Sequence, residues 1–312
     1  MVRPKIFITR RLPNIAKELL KEHFDVYEND KNEAFPAEKL SEIISEYDGV
    51  LSSITDKFTK EVLKKKNKLK VISNYAVGLD NIDLETANYL GIKVYNTPDV
   101  VTNSTADLTF ALLLSFIRNV RLADDFVKQG KWKTWDPELL LGEEPHGKKF
   151  GIIGFGRIGK AVAKRALGFG LDVIFYDKNV INDKTIIAKQ VDLDILLRES
   201  DYISIHVSLN DKTKDMINMS LMKKMLKKPI LLNLSRGLVV NTNDLVIALE
   251  KGLIKGACLD VTDPEPLAGN HPLCKFDNCI ISPHIGTATK ECRYNMARLA
   301  AQNIINHFND NC

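Results

Sequence analysis

The most constraining feature of this sequence is a regular alternation of short apolar runs with longer helical patterns. The apolar runs are rich in β-branched residues, as at 49–53, 150–154 and 230–234. Alternation of this kind is typical of βαβ units, in which helices cover both faces of a parallel sheet. One series of strands and helices occupies residues 1–97, and a second occupies residues 148–284.

Two series of elements predict two domains. The chain has 312 residues, which suits two domains of roughly 150 residues each. A long helical pattern at 105–129 separates the series, and a last one at 289–308 has no series of its own to pack on. We therefore predict two Rossmann-like, doubly wound parallel-sheet domains with an interdomain active-site cleft. The substrate domain comprises residues 1–98 plus 287–312, and the second domain comprises residues 99–286.

Composition excludes several classes of partner. The net charge is only +4, and no basic stretch is interleaved with aromatic residues, so no nucleic-acid partner is expected. The longest apolar runs are shorter than the roughly 20 residues of a membrane span, and the N-terminus lacks a signal-like core, so no membrane partner is expected. The cysteines are odd in number and lack zinc spacing. They predict reduced thiols in a cytoplasmic protein, with no metal site.

A glycine motif follows the first strand of the second series. Gly154-Phe155-Gly156-Arg157-Ile158-Gly159 matches GxGxxG between a strand-like run and a helical pattern. Glycines there allow a tight turn, let a pyrophosphate approach the backbone and let the helix pack on the strand. Asp177 ends the next strand, where a carboxylate accepts from ribose hydroxyls and repels a 2′-phosphate. We therefore favour NAD(H), while the neighbouring Lys178 leaves NADP(H) possible.

Polar side chains follow three later strands of the second series. Arg236 follows the run at 230–234, an acidic segment at 260–265 follows the run at 257–259, and His284 follows the run at 279–282. Ligands of doubly wound sheets bind beyond the carboxyl ends of the strands. For hydride transfer to a 2-oxo acid, an arginine binds the carboxylate, a histidine gives the proton and a carboxylate orients the histidine.

With these segments, the sequence resembles the D-isomer-specific 2-hydroxyacid dehydrogenase family, and most closely its glyoxylate/hydroxypyruvate reductases. The resemblance covers nearly the whole chain. Besides the glycine loop, its motifs are NYAVGLDNID at 74–83, NTPDVVTNSTAD at 96–107, NLSRG at 233–237, LDV at 259–261 with EPL at 265–267, and PHIGTAT at 283–289. The family implies NAD(P)H-dependent reduction of small 2-oxo acids, glyoxylate and hydroxypyruvate, to 2-hydroxy acids.

The resemblance also assigns roles to residues. The catalytic residues are Arg236, Glu265 as the partner of the histidine, and His284 as the general acid/base. Asn74, Val77, Gly78, Arg236 and Trp135 bind substrate; the amides of Val77 and Gly78 take its carboxylate, and Trp135 reaches the neighbouring subunit's pocket in a homodimer. Asp260 accepts from the nicotinamide carboxamide. The residues assigned to the cofactor are Thr105, Gly154, Phe155, Gly156, Arg157, Ile158, Gly159, Asp177, His206, Leu234, Ser235, Asp260, His284 and Gly286.

Several activities remain open at this stage. D-lactate dehydrogenase, 2-ketogluconate reductase and D-3-phosphoglycerate dehydrogenase are alternatives within the enzymes of this family. An NAD-sensing binding protein, similar to the corepressors built on this fold, is an alternative of a different class. The sequence does not rank the 2-oxo acids, because their selection depends on how the pocket side chains pack.

Overall fold

The structure is a computed structural model that describes residues 3–29, 31–183 and 185–310. The chain divides into two compact units, which are described separately. The first unit combines the residues up to Val101 with those from Thr287 onward, and the second unit is Thr102–Gly286.

The elements alternate along the chain as the sequence pattern predicts. The strands are β1 (Lys5–Ile8), β2 (Asp25–Glu28), β3 (Gly49–Ser52), β4 (Val71–Asn74), β5 (Lys93–Tyr95), β6 (Lys149–Ile153), β7 (Asp172–Tyr176), β8 (Lys189–Gln190), β9 (Tyr202–Ile205), β10 (Ile230–Asn233), β11 (Gly256–Leu259) and β12 (Cys279–Ile281). The helices are α1 (Ile15–His23), α2 (Ala37–Glu46), α3 (Lys60–Leu63), α4 (Leu84–Tyr89), α5 (Thr102–Ile117), α6 (Val120–Lys128), α7 (Arg157–Gly168), α8 (Leu193–Glu199), α9 (Met219–Met222), α10 (Thr242–Glu250) and α11 (Lys290–Asn309).

The first unit is built on a parallel sheet in the order β2-β1-β3-β4-β5. The last helix, α11, belongs to this unit because its buried face packs on α1 and β4. The buried residues Met296, Ala300 and Ile304 recur every four positions along α11, and the rings of Phe24 and Phe308 lie 5.2 Å apart. The two ends of the chain therefore share one hydrophobic core.

The second unit is built on a parallel sheet in the order β12-β11-β10-β9-β6-β7-β8. Its strands are apolar on both faces: Phe150 and Ile152 of β6 pack in the cluster that includes α5 and α7. Ile153 points to the other cluster, with α8 and α10. Strand order reverses direction between β6 and β9, and this reversal is where doubly wound sheets bind ligands.

Three features differ from the sequence prediction. The predicted helix at 105–129 is two helices, because Asn119 adopts φ +53° and interrupts the helix between α5 and α6. The first of these helices begins at Thr102, three residues before the predicted start. The edge strands β2 and β8 were not predicted, nor was the short α4. No helix of the described residues is long and apolar enough to span a membrane.

Candidate active site

The turn between β6 and α7 carries the three glycines of the predicted motif, each with a different steric reason. Gly154 adopts φ +93°, and a Cβ there would lie 2.8 Å from the carbonyl carbon of His206. A Cβ on Gly159 would collide with the carbonyl oxygen of Gly154. No atom lies within 4 Å of the position that a Cβ of Gly156 would take. The open space beside Gly156 at the N-terminus of α7 therefore suits the phosphates of a dinucleotide.

Asp177 follows β7 and lies against the glycine turn. Its Oδ2 accepts a hydrogen bond from the amide of Phe155 at 2.8 Å, and its Oδ1 accepts from the amide of Asn179 at 3.0 Å. A carboxylate oxygen accepts more than one hydrogen bond, so capacity remains for ribose hydroxyls. The ring of Phe155 is buried and stacks on Phe175 with centroids 3.7 Å apart, so Phe155 can meet a dinucleotide through its backbone only.

Gln190, on the edge strand β8, fixes the turn that follows Asp177. Its Nε2 donates to the carbonyl oxygens of Asn179, at 2.8 Å, and of Asp177, at 3.3 Å. Its Oε1 accepts from the amide of Ile181 at 3.0 Å. The sequence analysis missed Gln190, because hydrogen bonds from a side chain to a distant backbone leave no pattern in the sequence.

His206 follows β9, directly across the strand-order reversal from the glycine turn. Its Nε2 hydrogen-bonds with the hydroxyl of Ser204 at 2.7 Å. Its Nδ1 is buried and finds no hydrogen-bond partner among the described residues. Burial lowers the pKa of His206 to about 3, so the ring is neutral and does not serve as a cation for phosphate.

Arg236 follows β10 in a turn that Asn233 holds. The buried Oδ1 of Asn233 accepts from the amide and the hydroxyl of Ser235, at 3.1 and 2.9 Å, and its Nδ2 donates to the carbonyl of Arg236 at 2.9 Å. The Nη1 of Arg236 donates to the Ser235 carbonyl at 2.8 Å. A Cβ on Gly237 would collide with the carbonyl of Thr262, so only glycine allows this turn to approach the segment after β11.

His284 and Glu265 lie within hydrogen-bond distance, as the resemblance predicts for a histidine and its carboxylate partner. The Nδ1 of His284 lies 2.6 Å from the Oε1 of Glu265. Since a carboxylate only accepts, Nδ1 carries a proton, and Nε2 is the nitrogen left for a further hydrogen bond. His284 adopts φ +54°, which is uncommon for a residue with a side chain, and its amide donates to the carbonyl of Asp260 at 2.8 Å.

Asp260 is buried, and its carboxylate holds the turn that carries His284. Oδ1 accepts from the Ser282 hydroxyl at 2.6 Å and from the Ile285 amide at 2.8 Å, while Oδ2 accepts from the Gly286 amide at 2.7 Å. Most of its accepting capacity therefore serves its own loop. The predicted bond from Asp260 to the nicotinamide carboxamide would use the one lone pair that remains at Oδ2.

The remaining predicted cofactor residues lie in the first turns of α5 and α7 and in the segments that follow β10 and β12. Thr105 is buried in the first turn of α5, and the hydroxyl of Ser104 donates to the carbonyl of Gly286 at 2.7 Å. Leu234 is buried beyond β10, and the Arg157 side chain is exposed. Trp135 lies in the segment after α6 with 78% of its surface exposed.

The substrate residues predicted in the first unit lie in and just after β4. Asn74 is buried, and its amide is fully used: Nδ2 donates to the carbonyl of Gly78 and to Oδ1 of Asn81, at 2.9 and 3.0 Å. Its Oδ1 accepts from the Ser52 hydroxyl at 3.0 Å. The bonds of Asn74 hold the turn that carries Val77 and Gly78, and its role in substrate binding stays a prediction.

These features define a class of protein. The second unit has a glycine turn with open space beside Gly156, here called the glycine cradle, and a carboxylate next to it. It also has a histidine–carboxylate pair at the same edge of the doubly wound sheet. These features are typical of a dinucleotide-dependent dehydrogenase. No group of three or more His, Cys, Asp or Glu side chains that could hold a metal ion occurs in the residues that the structure describes.

Comparisons with known proteins specify the family. Residues 110–286 match the model of the D-isomer specific 2-hydroxyacid dehydrogenase NAD binding domain. A glyoxylate reductase of Thermococcus litoralis is 46% identical over 310 residues, covering 97% of this chain and 93% of that protein. The chain belongs to the D-isomer specific 2-hydroxyacid dehydrogenase family.

Solved structures agree with this assignment. A protein from Thermus thermophilus superposes with a TM-score of 0.89 at 40% identity, covering 96% of both chains. An NADPH-dependent glyoxylate/hydroxypyruvate reductase from Sinorhizobium meliloti, in complex with NADP and malonate, superposes with a TM-score of 0.86 at 28% identity. It covers 98% of this chain and 94% of that one. The similarity extends over both units, so the predicted pair of doubly wound parallel-sheet domains is confirmed.

Proposed function

We propose that this protein is an NADH-dependent reductase of small 2-oxo acids, and that glyoxylate and hydroxypyruvate are its preferred substrates. The observation that carries the proposal is the hydrogen bond of 2.6 Å between His284 and Glu265, on the same sheet as the glycine cradle. The glyoxylate reductase name of the Thermococcus litoralis relative supports the substrate class.

The residues of the second unit fit a dinucleotide. The amides at the N-terminus of α7 bind its phosphates beside Gly156, and Asp177 accepts from the adenosine ribose hydroxyls. Hydride for the carbonyl carbon of the substrate comes from the reduced nicotinamide when the cofactor is bound. Asp177 also repels a 2′-phosphate, and this repulsion is the basis for proposing NADH over NADPH.

His284 holds the proton that the substrate oxygen receives. Nδ1 is engaged by Glu265, while Nε2 makes no hydrogen bond with the residues that the structure describes. Protonated His284 therefore presents Nε2–H to the carbonyl oxygen as general acid. Arg236 binds the substrate carboxylate and polarises the carbonyl, and Asp260 keeps the His284 turn in place. Each reduction consumes one hydride and one proton.

We also propose that the protein forms a homodimer through its second unit. Helix α6 buries none of its residues within this chain, and Val120, Val127 and Leu141 are exposed in and beyond it. Exposed apolar residues in such number favour an interface between copies. Sedimentation analysis should give twice the chain mass, and Val127→Asp should yield monomers. A monomeric wild-type protein would contradict the dimer and the contribution of Trp135 to a neighbouring subunit.

A cytoplasmic location is the remaining proposal, and it rests on the cysteines. Cys258, Cys274 and Cys279 are not in disulfides, and burial raises the pKa of the Cys279 thiol to about 12. Buried thiols such as Cys258 and Cys279 are unreactive, and unpaired cysteines suit a reducing compartment. Finding the native protein in a membrane or extracellular fraction would contradict this proposal.

A panel of substrates tests the central proposal. We expect kcat/KM to be highest for glyoxylate or hydroxypyruvate with NADH, and lower for pyruvate, 2-ketogluconate and 3-phosphohydroxypyruvate. Replacing NADH by NADPH should lower kcat/KM by about tenfold or more, because the 2′-phosphate meets Asp177. Highest activity with pyruvate, 2-ketogluconate or 3-phosphohydroxypyruvate would favour the corresponding alternative enzyme. Binding of NADH without turnover of any 2-oxo acid would favour the NAD-sensing alternative.

A further inference from the structure

The turn after β4 presents two backbone amides without acceptors. The amides of Val77 and Gly78 donate no hydrogen bond to any residue that the structure describes. Both residues are partly exposed to solvent. Neighbouring amides that lack partners form an anion-binding concavity when their directions are fixed. The ability of this turn to bind an anion therefore depends on the contacts that fix the directions of these two amides.

The 76–77 and 77–78 peptides are each held by a hydrogen bond to the carbonyl oxygen. The carbonyl of Ala76 accepts from the amide of Thr97 at 2.9 Å, and the carbonyl of Val77 accepts from Nδ2 of Asn96 at 2.8 Å. A trans peptide is planar, so its N–H points opposite to its C=O. Thr97 thereby directs the amide of Val77, and Asn96 directs the amide of Gly78.

Asn96 is itself anchored in the first unit. It follows β5, and its carbonyl accepts from Nδ2 of Asn303, on α11, at 3.0 Å. The side-chain amide of Asn96 thus reaches the turn from a fixed backbone. The Thr97 contact is between backbone atoms, so only a proline would remove its donor, whereas the Asn96 contact depends on one side chain.

We propose that Asn96 is a positioning residue for the carboxylate of the substrate. By holding the carbonyl of Val77, it keeps the Gly78 amide directed at the anion, together with the amide of Val77. Asn96 does not touch the substrate, and although it is the first residue of the motif at 96–107, the sequence assigned it no role. The proposal rests on the proposed function, because the anion in question is the carboxylate of a 2-oxo acid.

Two variants test this role. Asn96→Leu removes the donor and frees the 77–78 peptide to rotate, and Asn96→Asp removes it at constant volume. We expect KM for glyoxylate to rise about 10-fold to 100-fold in Asn96→Leu, the range for losing a hydrogen bond to a charged group. Asn96→Asp should raise it further, because a second carboxylate repels the substrate. KM for NADH should change by less than about twofold.

A matched control separates positioning from stability. Asn278 is half-buried in the second unit, as Asn96 is in the first, and its Nδ2 donates to the carbonyl of Lys255 at 2.9 Å. Asn278→Leu loses the same kind of bond away from the turn. We expect similar melting temperatures for Asn96→Leu and Asn278→Leu, but a raised KM for glyoxylate in Asn96→Leu alone. An unchanged KM in both Asn96 variants, or an equal rise in KM for NADH, would overturn the inference.

Calorimetry with oxamate, an unreactive 2-oxo acid analogue, provides a test that does not need turnover. In the presence of NADH, oxamate should bind the wild type and bind Asn96→Leu at least about tenfold more weakly. If the wild type reduces no 2-oxo acid, the proposed function fails, and the oxamate titration alone decides on Asn96. Equal affinities in wild type and variant, or no binding to the wild type, would overturn the role of Asn96.

Discussion

The two units of this protein share a sheet architecture and use it differently. The first has the order β2-β1-β3-β4-β5, and strands β7-β6-β9-β10-β11 of the second repeat that order, with β8 and β12 added at the edges. In each sheet the order reverses beside the first strand of the unit, where doubly wound folds bind ligands. A shared architecture therefore predicts the same potential binding edge twice.

The turns at the two reversals differ. In the second unit the first strand leads into glycines, and the space beside Gly156 is open. In the first unit the first strand leads into residues 10–14, which contain no glycine, and Asp56, which follows β3, is fully buried and accepts from the Thr9 hydroxyl at 2.5 Å and the Ser53 amide at 2.8 Å. The turn residues, rather than the sheet, therefore determine which edge can bind a dinucleotide.

The largest expected effect is on kcat, and it is tested by replacing one histidine from each unit with alanine. We expect His284→Ala to lower kcat by about 10²-fold to 10⁴-fold, the contribution of a general acid, with the affinity for NADH little changed. His23→Ala, at an exposed position of the first unit, should keep wild-type kinetics. Steady-state assays with glyoxylate measure both, and near-normal turnover of His284→Ala would remove it from the chemistry.

A second test places a side chain in the open space of the glycine cradle. Gly156→Val should fold normally, because φ is −74° and nothing lies near the new side chain. The dissociation constant of NADH should rise by about 10-fold to 100-fold, because the side chain occupies the space of the phosphates. Fluorescence titration and a melting curve separate the two effects. Unchanged affinity in a folded variant would place the phosphates elsewhere.

The buried Asp56 of the first unit should show the opposite pattern, in which its loss lowers stability and leaves the affinity for NADH unchanged. Asp56→Ala leaves the Thr9 hydroxyl and the Ser53 amide without their buried acceptor, so the free energy of unfolding should fall by about 1–3 kcal/mol. The dissociation constant of NADH should stay the same. Denaturant titration of Asp56→Ala beside Gly156→Val measures the contrast, and a loss of NADH affinity in Asp56→Ala would contradict it.

The smallest expected effect concerns pH and His206. Its folded pKa is lowered to about 3 by burial, while the unfolded value is near 6.5. The unfolded chain therefore binds more protons in this window, so His206 lowers stability as the pH falls from about 6.5 to about 3. His206→Gln should reduce the slope of unfolding free energy against pH by up to about 1.4 kcal/mol per pH unit. An unchanged slope would show that His206 is protonated in the folded state.

Much of the fold and part of the candidate site could be predicted from the sequence. The central strands are continuous apolar runs, and the glycines and the histidine lie where strands end, so pattern alone located them. The edge strands β2 and β8 are short and half exposed, and they carry no such pattern. The break at Asn119 depends on one backbone angle.

The positioning residues could not be predicted for a different reason. Gln190 and Asn96 donate hydrogen bonds to carbonyls of turns that are distant in the sequence, and Ser282 donates to the carboxylate of Asp260. Their amide and hydroxyl groups are common at any surface, so only the folded arrangement distinguishes them. The catalytic roles of Arg236, Glu265 and His284 stay predictions until the variants are measured.

One measurement tests the central claim most directly: the fate of the hydride. Wild-type protein is incubated with glyoxylate and NADH that carries deuterium at both positions of nicotinamide C4, and the product is analysed by mass spectrometry. The account predicts a 2-hydroxy acid with one deuterium on C2, formed at the rate of NADH oxidation, and far less of it with His284→Ala. Oxidation of NADH without deuterium in the product, or no product at all, would contradict direct reduction of a 2-oxo acid by this protein.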